Sequence, residues 1–560
     1  MARSKLSKAA MAAALAGTML GAEALADSSP LLAGALDAAW CNPQEAEGGA
    51  AREAPPETPP PVLLDGLGTS GITPDTSNEE ARRWFDQGVR LVWAFDEAEA
   101  IRAFQQAQRL DPDCAMCFWG EAWARGPTIN LQPRTEQLAA ARTAADRAVA
   151  LSANLGERDK AVIRAMRSRI GGDAFANAPY AAAMEALAER YKDDDPINVM
   201  AADAGMIAAD NMEEGALSQR LLERVLARTP NHSGAIHMYI HLTDWIDRQD
   251  LAEPHAERLG TVAPAASHLV HMPSHTFYGV GRYRDAAQAN VSAIAADAAF
   301  ITALRPPESD YRTGLLGHNM HFAINSALMH NDGTTALSVS DQFRARYLVD
   351  GGEGWRRLIG SATFFSQGLH APVDTVLALP DAAADNPFAQ AMRHYARGEA
   401  LARRGDRAAI AHEASSIHKI REGDTAPQLG GEMGAAMAEI AQRVLEGRAA
   451  MLAGDPAAAA TAYRAAMDMQ TATLRGNDPP LWWYSIRRSL AAATLAQGDA
   501  QSAREQFAAS LEAWPNDPLA LYGLSLAEAR IGNQEAATQA LTRARGGWTG
   551  DVTAVPLARI

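Results

Sequence analysis

Ten of the fourteen histidines in this 560-residue chain fall between His232 and His330. Two of them, His237 and His241, form a His-x3-His pair, and His271 and His275 repeat it 34 residues later. On a helix, residues four apart project from one face, so each pair aims two imidazoles the same way. Such a face is a common holder of zinc, copper, nickel or iron, because both rings reach one ion and a neighbouring helix supplies the rest. His268 precedes the second pair by three residues, Asp244 follows His241 by three, and His318 and His321 stand at i and i+3 in Gly-His-Asn-Met-His-Phe. The candidate metal ligands are therefore His237, His241, His268, His271, His275, His318 and His321. Asp244 is the local carboxylate available as a catalytic base or a further ligand. These eight groups exceed one ion's needs, which allows a mononuclear or a dinuclear centre of copper, zinc or iron. Two other readings of the same residues stand beside it. The imidazoles can form a groove that binds an anion when protonated at low pH, or they can be structural. His232, His255 and His330 have no place in the pattern.

The elements that must position these rings show in residues other than histidine. In 81–114, Trp84, Gly88, Ala100, Phe104, Ala107 and Pro112 fall at positions 4, 8, 20, 24, 27 and 32 of a 34-residue unit. These are the tetratricopeptide-repeat (TPR) positions, where small residues let two helices approach and proline ends the second. Gly498, Ala503, Phe507 and Pro515 repeat the pattern in 484–517, as do Gly532, Ala537, Leu541 and Ala544 in 518–551. Extending the frame gives units 199–232, 233–266 and 267–300, with Pro230 and Pro264 both at position 32. In that register His237 and His271 occupy position 5, His241 and His275 position 9, His268 position 2 and Asp244 position 12. Those positions line the concave groove of TPR arrays. If Ala336 is position 20 of its repeat, His318 and His321 fall at positions 2 and 5. Helix-type apolar spacing dominates from Asn78 onward and strand signals are thin, so the expected fold is an all-α, TPR-type helical-repeat solenoid. Pro273 predicts either a kink that frees the Leu269 carbonyl or a helix that restarts at the proline.

Arg3, Lys5 and Lys8 precede an apolar run that closes with Ala24-Leu25-Ala26. Residues 1–26 therefore read as a secretory signal peptide, and the mature chain is expected to be periplasmic or secreted. Residues 27–77 read as a Pro-rich disordered linker, 78–345 as the N-terminal TPR array with the His-rich groove, 346–386 as an irregular connection, and 387–560 as the C-terminal array. A net charge of -16 makes nucleic acid a poor partner. No later segment has about 18 uninterrupted apolar residues, so no membrane span is expected in the mature chain. Cys114-Ala-Met-Cys117 suits a short-loop disulfide, a redox pair, half of a thiolate metal site or two packing cysteines; without a second Cys-x-x-Cys it cannot make a four-cysteine zinc site. Cys41 has no assigned role. No Gly-x-Ser-x-Gly elbow, phosphate loop or His-Glu-x-x-His motif is present.

Several segments resemble a family of secreted bacterial TPR proteins. They are Phe85-Asp-Gln-Gly-Val-Arg-Leu, Leu110-Asp-Pro-Asp-Cys-Ala-Met-Cys-Phe-Trp-Gly, His237-Met-Tyr-Ile-His241, His268-Leu-Val-His-Met-Pro-Ser-His275 with Gly281-Arg-Tyr, His318-Asn-Met-His321-Phe, and 480–498. The family pattern often carries Asn-His where this chain has Phe95-Asp96, and Glu where it has Asp244. The resemblance implies fold and export and gives no activity. Two functions follow as expectations. One is an exported TPR protein with a transition-metal centre, for oxidative or hydrolytic chemistry or metal handling. The other is an envelope scaffold that holds a peptide or protein partner in its groove.

Overall fold

Asn78 opens the first of the described helices: its side-chain oxygen accepts the N–H groups of Glu80 and Ala81, donors that a helix start leaves without intrahelical partners. Helix Glu79–Trp93 buries Trp84, Phe85 and Val89, and the chain turns back into Glu97–Leu110. Phe104 fills a notch left by Gly88, where an added Cβ would lie 2.7 Å from the ring. The same ring also meets Gly120 of the next helix, at 2.3 Å by that measure, and near the other end of the chain Gly523 faces Phe507 in that second way, at 2.1 Å. A large side chain seated on a glycine lets neighbouring helices approach closely, and its recurrence marks a stacked repeat.

The computed structural model describes residues 59–130, 135–209, 215–306, 310–348, 354–381, 386–474, 476 and 478–560. Residues 1–26, the linker up to 58 and Cys41 lie outside the described residues. Among the described residues every regular element is helical, and successive helices pack in pairs from Glu79 to the C-terminus. The fold is an all-α, TPR-type helical-repeat solenoid. Among the described residues one helix, Tyr283–Leu304, is long and apolar enough to cross a membrane by length and composition, with a mean hydropathy of 1.2. It packs against Asp310–Met329 and carries a buried Asn290.

Two stretches carry more structure than their composition suggests. Residues 59–77 are extended, as a Pro-rich segment should be, but they are tied down. Leu67 and Ile72 are buried, the Gly66 carbonyl accepts from Ala265 N–H at 2.9 Å, and Gln87 bonds both Leu64 N–H and the Val62 carbonyl. Asp75 accepts the N–H groups of Ala115 and Met116, where Cys114 and Cys117 form a disulfide at the start of helix Ala115–Ala124. An extended backbone has no partners of its own, so the array's side chains and helix ends supply them. Within 346–386, read as irregular, the chain forms helices Gly354–Ile359, Ser361–His370 and Val373–Leu377.

The C-terminal part of the array folds back on the histidine-bearing part. The Tyr283 hydroxyl donates to the Pro515 carbonyl at 2.9 Å, Asn516 donates to the Val280 carbonyl at 3.1 Å, and Thr549 N–H donates to the His330 carbonyl at 2.9 Å. Gly281, at φ 77°, lies so close to Pro515 that an added Cβ would stand 1.9 Å from its carbonyl oxygen. This interlock sets the far wall of the site.

Candidate metal centre

Helix Ser233–Trp245 is capped by His232, whose Nδ1 accepts from Ala235 N–H at 3.2 Å. Gly234 lies against the Trp93 ring. The contact brings the Trp93 carbonyl 2.6 Å from His237 Nδ1. A carbonyl can only accept, so Nδ1 carries the proton and His237 Nε2 is a bare lone pair. That lone pair faces His241 Nε2 at 3.0 Å.

The second pair reaches the same arrangement by another route. The chain forms helix Ser267–His271, and a new helix starts at Pro273 and runs to Gly279; Met272 between them keeps helical dihedrals. The proline removes one backbone donor, yet His275 still follows His271 on one face. Asn290 donates its amide to the Ala286 carbonyl at 2.8 Å, which turns its oxygen toward His271 Nδ1 at 2.7 Å. His271 Nε2 is therefore also bare, and it faces His275 Nε2 at 2.9 Å. Each gap takes either a hydrogen bond or a metal ion: neutral His241 can donate from Nε2, whereas His275, whose Nδ1–H is given to Asp478, needs a second proton or a metal ion at Nε2.

Each pair gains a third imidazole. His237, His241 and His268 bring one ring nitrogen apiece within 4.8 Å of one another, as do His271, His275 and His318. The two triads adjoin: ring centroids lie 5.9 Å apart at His268–His271 and 6.2 Å at His241–His275. Among the described residues neither nitrogen of His268 has a hydrogen-bond partner, although the residue is only 4% exposed. A phenyl ring lies against each triad. Phe95 is 4.5 Å from the His237 ring and 5.4 Å from that of His268. Phe322 is 4.9 Å from His275 and 5.4 Å from His318. The first repeat thus contributes a carbonyl and a phenyl ring.

Burial, which disfavours charge, pushes the His237 pKa down to about 3. Burial and then neighbouring imidazoles hold His241, His268, His271 and His318 well below the ordinary histidine value. Five neutral rings offering lone pairs are what a metal ion needs and what protons alone leave poorly satisfied. His275 differs. Burial works against its charge, but Asp478 and Asp244 outweigh it and raise the pKa to about 10. Its Nδ1–H donates to Asp478, and Asp244 lies 3.7 Å away. Asp244 also accepts from Gln249 at 3.1 Å. Together Asp244, His275 and Asp478 form a third group with ligand spacing.

Of the residues expected at the centre, His237, His241, His268, His271, His275 and His318 come together and Asp244 lies beside them. His321 stands apart, 3.2 Å from Asn325, and burial lowers its pKa to about 3. His255 lies 2.9 Å from Arg258, and His330 donates to the Ser326 carbonyl. Sequence reasoning missed Asp478, Asn290, Trp93 and Phe322. Only Asn290 left a signal: it occupies position 24, which is phenylalanine in the units containing Phe104 and Phe507.

Next to His275 a groove of about 1280 Å³ opens between the two halves of the array, lined by Asp244, Asp478, Trp245 and Trp514 among others. Comparisons with known proteins add little to this geometry. No protein-family profile and no curated protein matches the sequence. Solved helical arrays are similar to it at low identity. Naa15/Naa10 bound to HypK-THB shares 13% identity over 84% of this chain and 89% of that chain, with a TM-score of 0.21. The TPR domain of P58(IPK) shares 13% over 80% and 98%, at 0.22. The human IFIT1 dimer with m7Gppp-AAAA shares 12% over 84% and 91%, at 0.27. At these scores nothing about the site carries over.

Proposed function

We propose that this chain is an exported metal protein whose buried histidines hold two transition-metal ions. The ions are copper, zinc or iron, and they serve oxidative or hydrolytic chemistry or metal handling. The observation that carries this reading is the pair of Nε2···Nε2 approaches, 3.0 Å at His237–His241 and 2.9 Å at His271–His275. Two imidazoles that bind one ion at about 2.0–2.1 Å bring their nitrogens to roughly 3 Å of each other. His268 supports it further. A buried imidazole nitrogen without a partner costs on the order of 1–3 kcal/mol, and an ion would take one of the two.

Bound ions would supply Lewis acidity or redox capacity that no side chain here provides. The chain's own residues do the rest. Trp93 and Asn290 keep the protons of His237 and His271 on Nδ1, which leaves Nε2 free to bind. Phe95 and Phe322 pack beside the rings and keep water from them. Asp478 orients His275, and Asp244, where the groove meets the centre, is placed to take a proton from a groove ligand. Export to the periplasm or beyond belongs to the same proposal and rests on residues 1–26.

The groove itself supports a second reading, a scaffold that holds a partner without chemistry. Metal analysis of untagged protein separates the two. Less than about 0.2 ion per chain, unchanged by His271→Ala with His275→Ala, would falsify the metal reading.

A further inference from the structure

The groove beside His275 has its own chemistry. Among the described residues, five carboxylates line it, from Asp244, Asp247, Asp250, Asp478 and Glu512, against one guanidinium, that of Arg487. Asp250 pairs with Arg248 at 2.8 Å, Asp478 accepts the Nδ1–H of His275, and Asp244 lies 3.7 Å from the same nitrogen. Asp247 and Glu512 are exposed on opposite halves of the array. Among the described lining residues negative charge is in excess even after these pairings.

Aromatic surface accompanies the charge. Trp245, Tyr278 and Trp514 line the same groove, with Tyr278 and Trp514 ring centroids 6.1 Å apart. The buried Tyr278 hydroxyl has no hydrogen-bond partner among the described residues. Carboxylates attract a cation over several ångströms, and aromatic faces add a cation–π attraction and an apolar seat. The volume of about 1280 Å³ exceeds the roughly 300–1,000 Å³ of small-molecule pockets.

We propose that the groove takes a ligand bearing an amine or guanidine cation on an aromatic or extended apolar body, and that it delivers this ligand to the His275 side of the centre. This rests on the metal reading only for what happens at the centre; the binding stands on the groove's charge and aromatic lining. The ligand is a free polyamine or a lysine- or arginine-bearing peptide, which share the chemistry.

Calorimetric titration of the full metal-loaded chain tests it with three probes: spermidine, capped Lys-Tyr-Lys and capped Glu-Tyr-Glu. At least one cationic probe should bind about 10-fold more tightly than Glu-Tyr-Glu, and its affinity should fall steeply with salt. Tighter spermidine points to a polyamine; tighter Lys-Tyr-Lys points to a peptide. Asp247→Asn with Glu512→Gln should weaken the preferred probe about 5-fold while metal content stays constant. The proposal is overturned if both cationic probes bind no better than Glu-Tyr-Glu, or if neither binds below about 1 mM. Metal content of the same samples is read separately. Cation binding without metal removes the metal reading alone; metal without cation preference removes this one alone.

Discussion

His271 and His275 hold their Nε2 atoms 2.9 Å apart, and one repeat earlier His237 and His241 hold theirs at 3.0 Å. The first pair sits on one continuous helix, Ser233–Trp245, whereas the second spans the break at Pro273. The repeat therefore preserves the facing of the rings and not the continuity of the helix. Each pair also fixes its first ring from outside the helix, through Trp93 or Asn290. Two different devices that leave the same lone pair bare point to one selected geometry.

Because the triads share no residue, they should load separately. His237→Ala with His241→Ala, and His271→Ala with His275→Ala, should each remove about one ion per chain and leave the other. Elemental analysis of untagged variants reads this directly. Loss of both ions from either variant would mean a single shared site.

Asp478 should matter to one triad only. It accepts the Nδ1–H of His275 and holds the ring's orientation. Asp478→Ala should weaken metal at the His271–His275–His318 site by about 10–100-fold in a chelator competition, as loss of a ligand's carboxylate partner commonly does. Asp478→Asn keeps an acceptor and should lose less. Equal losses from both variants would show that the charge, and not the hydrogen bond, is what counts.

The metal-free chain should weaken in mild acid. His237 and His321 have folded pKa values of about 3, below the ordinary 6.5. The unfolded chain therefore takes up protons first. Their contribution is complete above pH 6.5 and falls as pH drops toward 3, by at most about 1.4 kcal/mol per pH unit for each group. Buried Glu97, with its pKa raised by burial to about 8, and Asp203 and Asp297, each raised to about 6, act oppositely. His241, His268, His271 and His318, held well below the ordinary value, join His237 and His321 and outnumber them. Denaturant midpoints of chelator-treated protein at several pH values between 7.5 and 4.5 should decline below about pH 6.5. His321→Asn should flatten that decline. A midpoint that rises in acid would contradict it.

Much of the centre was legible because a 34-residue period places identical residues on identical faces. His237, His241, His271 and His275 follow from register alone, and so does the helical fold. Asp478 was not legible. It lies 203 residues from His275 and arrives only because the array folds back, which no local pattern encodes. His321 misled for a related reason. Three residues from His318, it lies toward the same side of the helix, but Asn325 one turn later takes it as a partner. The strap 59–77 reads as linker because its composition lacks helix and strand signals, yet two apolar anchors and borrowed hydrogen bonds fix it.

The fold-back itself can be tested at Gly281. Its φ of 77° and its approach to the Pro515 carbonyl both exclude a side chain, with an added Cβ only 1.9 Å from the oxygen. Gly405 supplies the control, since it has a φ of 80° and nothing within 4 Å. Gly405→Ala should cost only the backbone strain, on the order of 1 kcal/mol. Gly281→Ala should cost about 1–3 kcal/mol more, because backbone atoms in the interlock cannot step aside as a flexible side chain would. The site gives a second readout. If the interlock carries Asp478 to His275, Gly281→Ala should weaken metal at the His271 triad and spare the His237 triad. Equal stability of the two variants would show that Pro515 yields easily, and that the two halves are held together by contacts other than this one.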